Sequence, residues 1–582
     1  MYSITGILLF AGCFLSNTLS VSADSFSSDC RCIPGDKCWP SQQKWSRLNA
    51  TVHGRLIAAA PLASVCHAPN YDEAACKALG DVWGLPQTHY PNPVEIMAPE
   101  WQNYTCDPFT PKSTPCALGN YASYSINVSS PADIIEGLKF ANQNNVRLVI
   151  KNTGHDYLGK STGRGALSLW THHMKSIDFL DYRSSGYTGP AVKLGAGAQA
   201  FDIYESVSAK GLRIVGGECA TVGIAGGFLQ GGGHSTLSSA HGMAADQILE
   251  WEAITANGTH VIASPTRNKD LYWALSGGGG GTYAVVVSVT VKAYKDGPVG
   301  GAYMQFNKTG NTEEAFWKGV EEFHAALPAI VDSGSTAVYF LSNDSFTIAA
   351  ITSPGKSTAE VTALMQPFTS KIKDLKIPST LTTTLSKGFL EHFDRYLGPL
   401  PYGLPIVNAI NITLASRLIP RQIVETPASN SALIDALKLS VHPGGGFVTG
   451  GIAVNVAHSV AKNTPSSNAV LPAWRDAILT TLAFAPWDYK GTLQNNNDAQ
   501  DYLLDVTMPA LKSLAPDAGA YLNEANRLQE ADWKESFYGP NYDTLAAIKK
   551  KHDPRDLFYA PTAVGSDAWV PDKDGRLCRA RS

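Results

Sequence analysis

Residues 148–162 read LVIKNTGHDYLGKST. The apolar run Leu148, Val149, Ile150 reads as a strand that ends at Lys151, and Asn152-Thr153-Gly154 supplies a tight turn. His155 stands where the chain leaves that turn. A strand that ends in a glycine turn and delivers an imidazole is a way of building a site, because a rigid element then fixes a side chain carried on a loop.

The neighbouring sequence extends this into an alternation of helices and strands. Upstream, SPADIIEGLKFANQNNV (130–146) opens on Ser-Pro, carries an acid in its first turn and spaces Ile134, Ile135, Leu138 and Ala141 as one apolar helix face. Downstream, AVKLGAGAQAFDIYESVSAKGLRIVGG (191–217) reads as strand, glycine turn, helix from Phe201, and strand. A β-branched run, VVVSVTVKAY, begins at Val285. Residues 117–297 therefore read as a glycine-rich α+β unit. Residues 298–510 alternate strands such as STAVYFLS and FTIAAIT with helices such as Glu314 to Leu327, which predicts a sheet covered by helices. Residues 24–116 are loop-rich, with short helical pieces such as Asp72 to Leu79. Near the end of the last segment, 511–582, YDTLAAIKKKHDP predicts a helix stopped by Pro554. The class expected is α+β.

At 582 residues the chain is long enough for two or three packed units with a cleft between them. Hydrophobic residues make up 44%, charged residues 16%, and the formal charge is -4, which argues against disorder and against a nucleic-acid partner. Residues 1–23 carry a short apolar run over Ile7 to Leu15 and end Val21-Ser22-Ala23, the pattern of a cleaved signal peptide. That run is shorter than the roughly 20 apolar residues of a membrane span, so a secreted, extracellular protein is expected, without a membrane anchor. Sequons at Asn49, Asn103, Asn127, Asn257, Asn307, Asn343 and Asn411 agree with N-glycosylation. Signal-peptide removal takes Cys13. Cys30, Cys32, Cys38, Cys66, Cys76, Cys106, Cys116 and Cys578 then suffice for four disulfides, with about 105 connectivities open. Cys219 is the odd one, alone in a glycine-rich interior stretch.

That stretch, GGECATVGIAGGFLQGGGHST (216–236), holds eight glycines in 21 residues, more than helix or strand formation tolerates. Such backbone can approach a large planar or phosphorylated ligand closely. Gly277 to Gly281 repeat the theme, with a flexible hairpin as the plainer reading. Gly195, Gly197 and Ala200 fit a relaxed GxGxxA dinucleotide fingerprint, with Glu218 at the spacing of a ribose-binding acid, so a nicotinamide-binding unit stands as an alternative. Metal and hydrolase patterns fail. There is no HExxH, His172 and His173 are adjacent, His234 and His241 lack a companion carboxylate pattern, and Leu237 breaks a nucleophile elbow at GGHSTL. No metal site is expected.

Taken in order, KNTGHDYLG, GGECATVG, GGGHS, LYWALSGGGGGTYAVV, YLNEA and FYGPNYDTLAAIKKKHDP resemble the berberine-bridge-enzyme-like flavoproteins of the vanillyl-alcohol oxidase superfamily. The ending AVGSDAWVPDKDGRLC is similar to secreted fungal, isoamyl alcohol oxidase-like members. The resemblance implies a two-lobed FAD-binding domain at 117–297, a substrate-binding domain at 298–510 whose sheet faces the flavin ring, and a segment at 511–582 that returns to the FAD domain. It implies FAD bound covalently at two points, through His155 and Cys219. It further places Lys151, Asn152, Thr153, Gly154, Asp156 and Gly159 about the cofactor, with Thr221, Val222, Gly223, Gly226 and Gly227 following the cysteine. Gly231, Gly232, Gly233, His234 and Asn523 complete the set. Ala220, where many relatives have Pro, and Lys151-Asn152-Thr153-Gly154, where many have Arg and a glycine run, depart from the pattern.

What the resemblance implies chemically is hydride transfer from an alcohol, sugar or secondary metabolite to flavin N5, with Tyr521 as the base and dioxygen, admitted past Val222, reduced to hydrogen peroxide. A phenol with an ordinary pKa near about 10 needs a neighbouring cation or hydrogen bond to serve as a base. Alternatives are a dehydrogenase with another electron acceptor and an oxidative cyclase of secondary metabolism. The partners expected are a small-molecule substrate and dioxygen, and the protein is expected to be a monomer.

Overall fold

The computed structural model describes residues 29–102, 105–403, 409–442 and 444–580. The signal-peptide reading, Cys13 and Asn103 lie outside these. Three sheets of four, five and seven strands, two two-stranded pairs and their helices make an α+β molecule. The first sheet has four strands in the order Leu56–Ala58, Tyr124–Asn127, Leu167–Trp170, Leu148–Lys151, and its last three are mutually parallel. Parallel strands need crossovers, and the helix Pro131–Asn144 supplies one. It starts where the sequence predicts: Asp133 accepts from the Ser129 and Ser130 amides, and Asn145 closes the end in the left-handed region at φ 51°.

The second sheet is antiparallel, ordered Ile177–Arg183, Thr188–Gly195, Ala284–Lys292, Ile248–Thr255, His260–Ala263. The run predicted from Val285 is its buried middle strand. The turn after Thr188–Gly195 carries the GxGxxA glycines, and packing explains them. A Cβ on Gly197 would lie 2.1 Å from the His172 carbonyl oxygen, so only glycine fits beside that backbone.

The third sheet has seven antiparallel strands, ordered Thr382–Ser386, Val299–Asn307, Ser345–Pro354, Thr336–Leu341, Val448–Ala453, Ala477–Pro486, Ile412–Pro420. Strand alternation divides its two faces. Ala415, Ile419, Ala453, Ala483 and Ala485 pack with the helices Glu313–Asp332, Thr358–Asp374 and Pro427–Ser440. Leu414, Leu418, Ile452, Leu482 and Phe484 belong to the core shared with the glycine-rich unit. Those three helices cover one face, while on the other the helix Phe389–Leu397 lies over the strands Val299–Asn307, Ser345–Pro354 and Thr382–Ser386, where His392 meets Thr352 and Tyr396 meets Thr384. The rest of that second face looks at residues 150–290.

The ends of the chain close on this body. The N-terminal segment, loop-rich as expected, also contributes the strand Leu56–Ala58 and the helices Gln42–Thr51 and Glu73–Val82. The predicted terminal helix runs Tyr542–His552, and Lys549 beyond its middle donates to the Phe558 carbonyl, beside which Leu148 of the first sheet pairs. The eight cysteines form four disulfides: Cys30–Cys578, Cys32–Cys38, Cys66–Cys76 and Cys106–Cys116. The first joins residues 548 apart in sequence, which stitches the tail to the start.

Candidate functional site

Between the glycine-rich unit and the strands Val448–Ala453, Ala477–Pro486 and Ile412–Pro420 of the seven-stranded sheet lies a cleft of ≈ 1560 Å³, its open mouth included. One wall is loop. It is built from Asn152 to Leu158, Gly217 to Phe228 and Gly280 to Gly281. The opposite wall is sheet, formed by Leu414, Ile452, Leu482 and Phe484. Tyr521, Asn523 and Glu524, from the loop that follows the helix Met508–Leu514, close one side.

The opening turn accounts for its own glycine. Gly154 sits at φ +90°, and a Cβ there would fall 2.8 Å from the Glu95 carbonyl oxygen. The Gly154 carbonyl in turn accepts from the Met97 amide at 2.9 Å, so the N-terminal segment clamps the turn and aims His155. His155 Nε2 lies 2.8 Å from the Thr221 hydroxyl, and that same hydroxyl lies 3.7 Å from Cys219 Sγ. A histidine and a cysteine from separate loops are thereby brought to either side of one threonine, itself 66 residues from the histidine. Burial first, and then His89 and Lys151, push the His155 pKa down to about 3, so the ring is neutral and retains a lone pair. Cys219, outside any disulfide, has its thiol pKa raised by burial, against which Thr221 works.

A second constellation stands nearby. His234 Nδ1 lies 3.0 Å from Glu218 Oε2 and Nε2 lies 2.9 Å from Glu524 Oε2. Burial opposes the charged ring, yet the two carboxylates win and hold the imidazole pKa well above its ordinary value. The sequence saw no carboxylate companion for this histidine, because one partner is 290 residues away along the chain. The Tyr521 ring meets His234 edge to face at 5.2 Å between centroids. The Tyr521 oxygen accepts from the Gly233 amide at 3.2 Å and from Asn523 Nδ2 at 2.8 Å. Asn523 donates its other hydrogen to the Gly227 carbonyl at 2.8 Å, fixing the amide. The phenol therefore has the hydrogen bonds a base needs, but burial and then Glu524 keep its pKa raised. The Asn523 and Gly233 donors work against that rise without cancelling it.

Of the residues singled out from sequence, Asn152, Thr153, Gly154, His155, Asp156, Cys219, Val222, Gly223, Gly226, Gly227, His234, Tyr521 and Asn523 line this one cleft. Others stand behind it. Lys151 turns its ammonium to the Asn92 carbonyl at 2.8 Å, where burial brings its pKa down to about 7. Gly159 packs under Trp101, where a Cβ would come within 2.5 Å of the indole. Thr221 reaches the site through its hydroxyl, Gly231 makes room for Asn523, and Gly232 and Gly233 form the turn whose amide meets Tyr521. Sequence reasoning missed Tyr157, Lys160 and Glu524, and all four residues of the sheet wall. The YLNEA motif already contained Glu524 and was the available signal. Gly280, in the second glycine run, is no loose hairpin: its would-be Cβ comes within 3.2 Å of Gly227 Cα, so two glycine loops meet at the cleft floor.

Several acceptors in the lining lack donors. Asn152 Oδ1, Glu218 Oε1 and Gln230 Oε1 are buried with no hydrogen-bond partner. A slot with glycine backbone on one side, apolar side chains on the other and unmatched acceptors at its edge fits a large planar cofactor that brings N–H donors.

Comparisons with known proteins agree with this geometry. Residues 122–264 match the family described as FAD binding domain, and residues 520–565 match the one described as berberine and berberine like. The chain is 46% identical over 99% of its length to the FAD-linked oxidoreductase patO of Aspergillus clavatus, covering 98% of that protein. It is 47% identical over 98% of its length to the bifunctional decalin synthase calF of Penicillium decumbens, covering 99% of it. Among solved structures, the VAO-type flavoprotein MtVAO615 of Myceliophthora thermophila C1 superposes with a TM-score of 0.90 at 46% identity, over 95% of this chain and 100% of that one.

Proposed function

The chain belongs to the berberine-bridge-like FAD-linked oxidoreductases of the vanillyl-alcohol oxidase type, and on that premise we propose that it is a secreted oxidase of apolar alcohols with FAD tethered at two points. His155 and Cys219 are the tethers. The convergence of a neutral imidazole and an odd thiol on Thr221 is the observation that carries this reading. Asn152, Glu218 and Gln230 offer acceptors at the cofactor's edge, and Gly223, Gly226, Gly227 and Gly280 give its face room. FAD, when bound, supplies a hydride acceptor that dioxygen can regenerate with release of hydrogen peroxide.

The chain's own residues do the rest. The sheet wall seats the substrate. Leu414, Ile452, Leu482 and Phe484 present neither hydroxyl nor charge. Each CH₂ laid against them gains ~0.8 kcal/mol, whereas each sugar hydroxyl buried there without a partner costs about 1–3 kcal/mol. A carbon skeleton bearing few polar groups is favoured over an oligosaccharide by those magnitudes. Tyr521 orients the reacting oxygen: its own oxygen already accepts two N–H donors, so its remaining hydrogen is free to donate toward the cleft. Val222 lines the cleft three residues after Cys219, the position from which a modest side chain leaves dioxygen a path.

The apolar wall, together with the similarity to a protein described as a bifunctional decalin synthase, favours one second reading, an oxidative cyclase acting on a polyunsaturated skeleton. Secretion agrees with the four disulfides, and no helix among the described residues is long and apolar enough to cross a membrane. Purified holoenzyme mixed anaerobically with cinnamyl alcohol, 1-octanol, cellobiose and xylobiose tests the reading. The yellow absorbance should fade with an apolar alcohol, return in air with peroxide, and peptide mass spectrometry should find FAD on both His155 and Cys219. Material without an adduct at either residue refutes the tethering, and fading by the disaccharides alone refutes the substrate class.

A further inference from the structure

We propose that Glu524 is the group that takes the substrate's hydroxyl proton, seated by His234, whose other nitrogen Glu218 holds. The proposal rests on the reading above that an alcohol is oxidised in this cleft.

Three observations carry it. Glu524 lines the cleft and its side chain is 25% exposed there, whereas Glu218 is 8% exposed and His234 4%. It is thus the member of the cluster that a substrate can touch. One of its carboxylate oxygens is occupied by His234 Nε2 at 2.9 Å, and the other receives no hydrogen bond from the described residues. Last, the cluster's charge is unbalanced. Two carboxylates share one imidazolium, so the group as a whole carries one negative charge beside a buried tyrosine. A proton accepted by Glu524 brings the cluster to neutrality while the His234–Glu218 pair stays in place.

Tyr521 is poorly placed for the same task. Its pKa is held up by burial and by Glu524 itself, and its oxygen already accepts two donors. The two residues divide the work, Tyr521 donating to the substrate oxygen at rest and Glu524 accepting the proton as that oxygen becomes a carbonyl. The balance is simple. The substrate's C–H bond would break with its electron pair leaving as hydride, for which FAD, when bound, would supply the acceptor. The O–H bond breaks, its electron pair becomes the second C–O bond, and its proton moves to the open oxygen of Glu524. His234 touches neither substrate nor cofactor in this scheme; it is a positioning residue that holds Glu524 in place.

The test uses holoenzyme with cinnamyl alcohol, 4-methoxybenzyl alcohol and 1-octanol as probes. Glu524→Gln should bind pigment with an unchanged spectrum and slow anaerobic fading by about 10²–10³-fold, and Glu524→Asp should restore much of the rate. Tyr521→Phe should cost only about tenfold. An independent readout needs no turnover: in resting enzyme labelled with nitrogen-15 histidine, the His234 ring should carry protons on both nitrogens at pH 8 and lose one in Glu218→Gln. Infrared difference spectra of alcohol-reduced minus oxidised enzyme should show a new protonated carboxyl, absent in Glu524→Gln. If Glu524→Gln fades within threefold of the parent, or the carboxyl band disappears in Glu218→Gln instead, or His234 is neutral at pH 8, the proposal is overturned while the alcohol-oxidase reading stands. If no probe fades the parent enzyme, both fall together.

Discussion

The two walls of the cleft are made of opposite materials. On one side, Asn152 to Leu158 and Gly217 to Phe228 are irregular backbone carrying His155 and Cys219, with His234 six residues beyond the second stretch. On the other, Leu414, Ile452, Leu482 and Phe484 project from three neighbouring strands of a regular sheet. The loop wall uses residues that a fold alone would avoid. Gly154 at φ +90° and an imidazole stripped of its proton by burial are costs that a ligand-binding site explains and a hydrophobic core does not. The sheet wall uses residues that any buried strand would use. The difference teaches that the cofactor's side of such a site is fixed by special chemistry, and the substrate's side by shape and apolar area.

The most drastic way to break this comparison is to remove both tethers. His155→Ala combined with Cys219→Ala should leave protein from which acid precipitation extracts all the pigment, whereas each single variant retains it in the pellet. If the double variant still precipitated yellow, another residue would be the attachment point and the loop wall would have been misread. The sheet wall offers no comparable effect, since none of its four side chains bears a nucleophile.

The same contrast decides what was legible in the sequence. The strand Leu148–Lys151, the helix Pro131–Asn144 and the glycine-rich stretch could be read because caps, turns and positive-φ positions demand particular residues locally. The helix expected over Glu314 to Leu327 forms, and runs on to Asp332. Glu524 was written in a quoted motif, yet its meaning depends on His234, 290 residues away, and no local pattern encodes that distance. Spacing alone reads Glu218 as a ribose-binding acid, and the chain instead folds it against His234. The sheet wall was invisible for another reason. Leu482 and Phe484 face the cleft while Ala483 and Ala485 face helices, but alternation alone does not say which face is covered. The order of seven strands settles it, and that order is a long-range property.

A milder perturbation sharpens the comparison from the sheet side. Leu482 is 8% exposed and lines the cleft, so Leu482→Asn keeps its bulk roughly constant while placing an amide among apolar neighbours. The Michaelis constant for cinnamyl alcohol should rise about tenfold, the equivalent of about 1.4 kcal/mol, and the yellow spectrum and its resistance to acid should not change. A variant that lost pigment while keeping its affinity for the alcohol would reverse the roles given to the two walls.

The smallest effect lies behind the sheet. His324, fully buried on the helix Glu313–Asp332, donates from Nδ1 to the Val320 carbonyl at 2.8 Å and accepts the Tyr339 hydroxyl at Nε2, also at 2.8 Å. Both nitrogens are satisfied only in the neutral ring, and burial pushes its pKa down to about 4. The unfolded chain, with an ordinary histidine near about 6.5, binds more protons than the folded one between those values, so stability falls as pH drops through that window and is unaffected above it. The loss is at most about 1.4 kcal/mol per pH unit. His324→Gln keeps one donor and one acceptor but cannot take up a proton, so its melting temperature should decline less steeply than the parent's from pH 6.5 to pH 4. Because this residue supports the sheet and touches neither wall's surface, pigment content and alcohol affinity at pH 7 should stay at parental values. A variant whose acid limb paralleled the parent's would show that Tyr339 turns to accommodate the imidazolium, and that the core behind the sheet is softer than its packing implies.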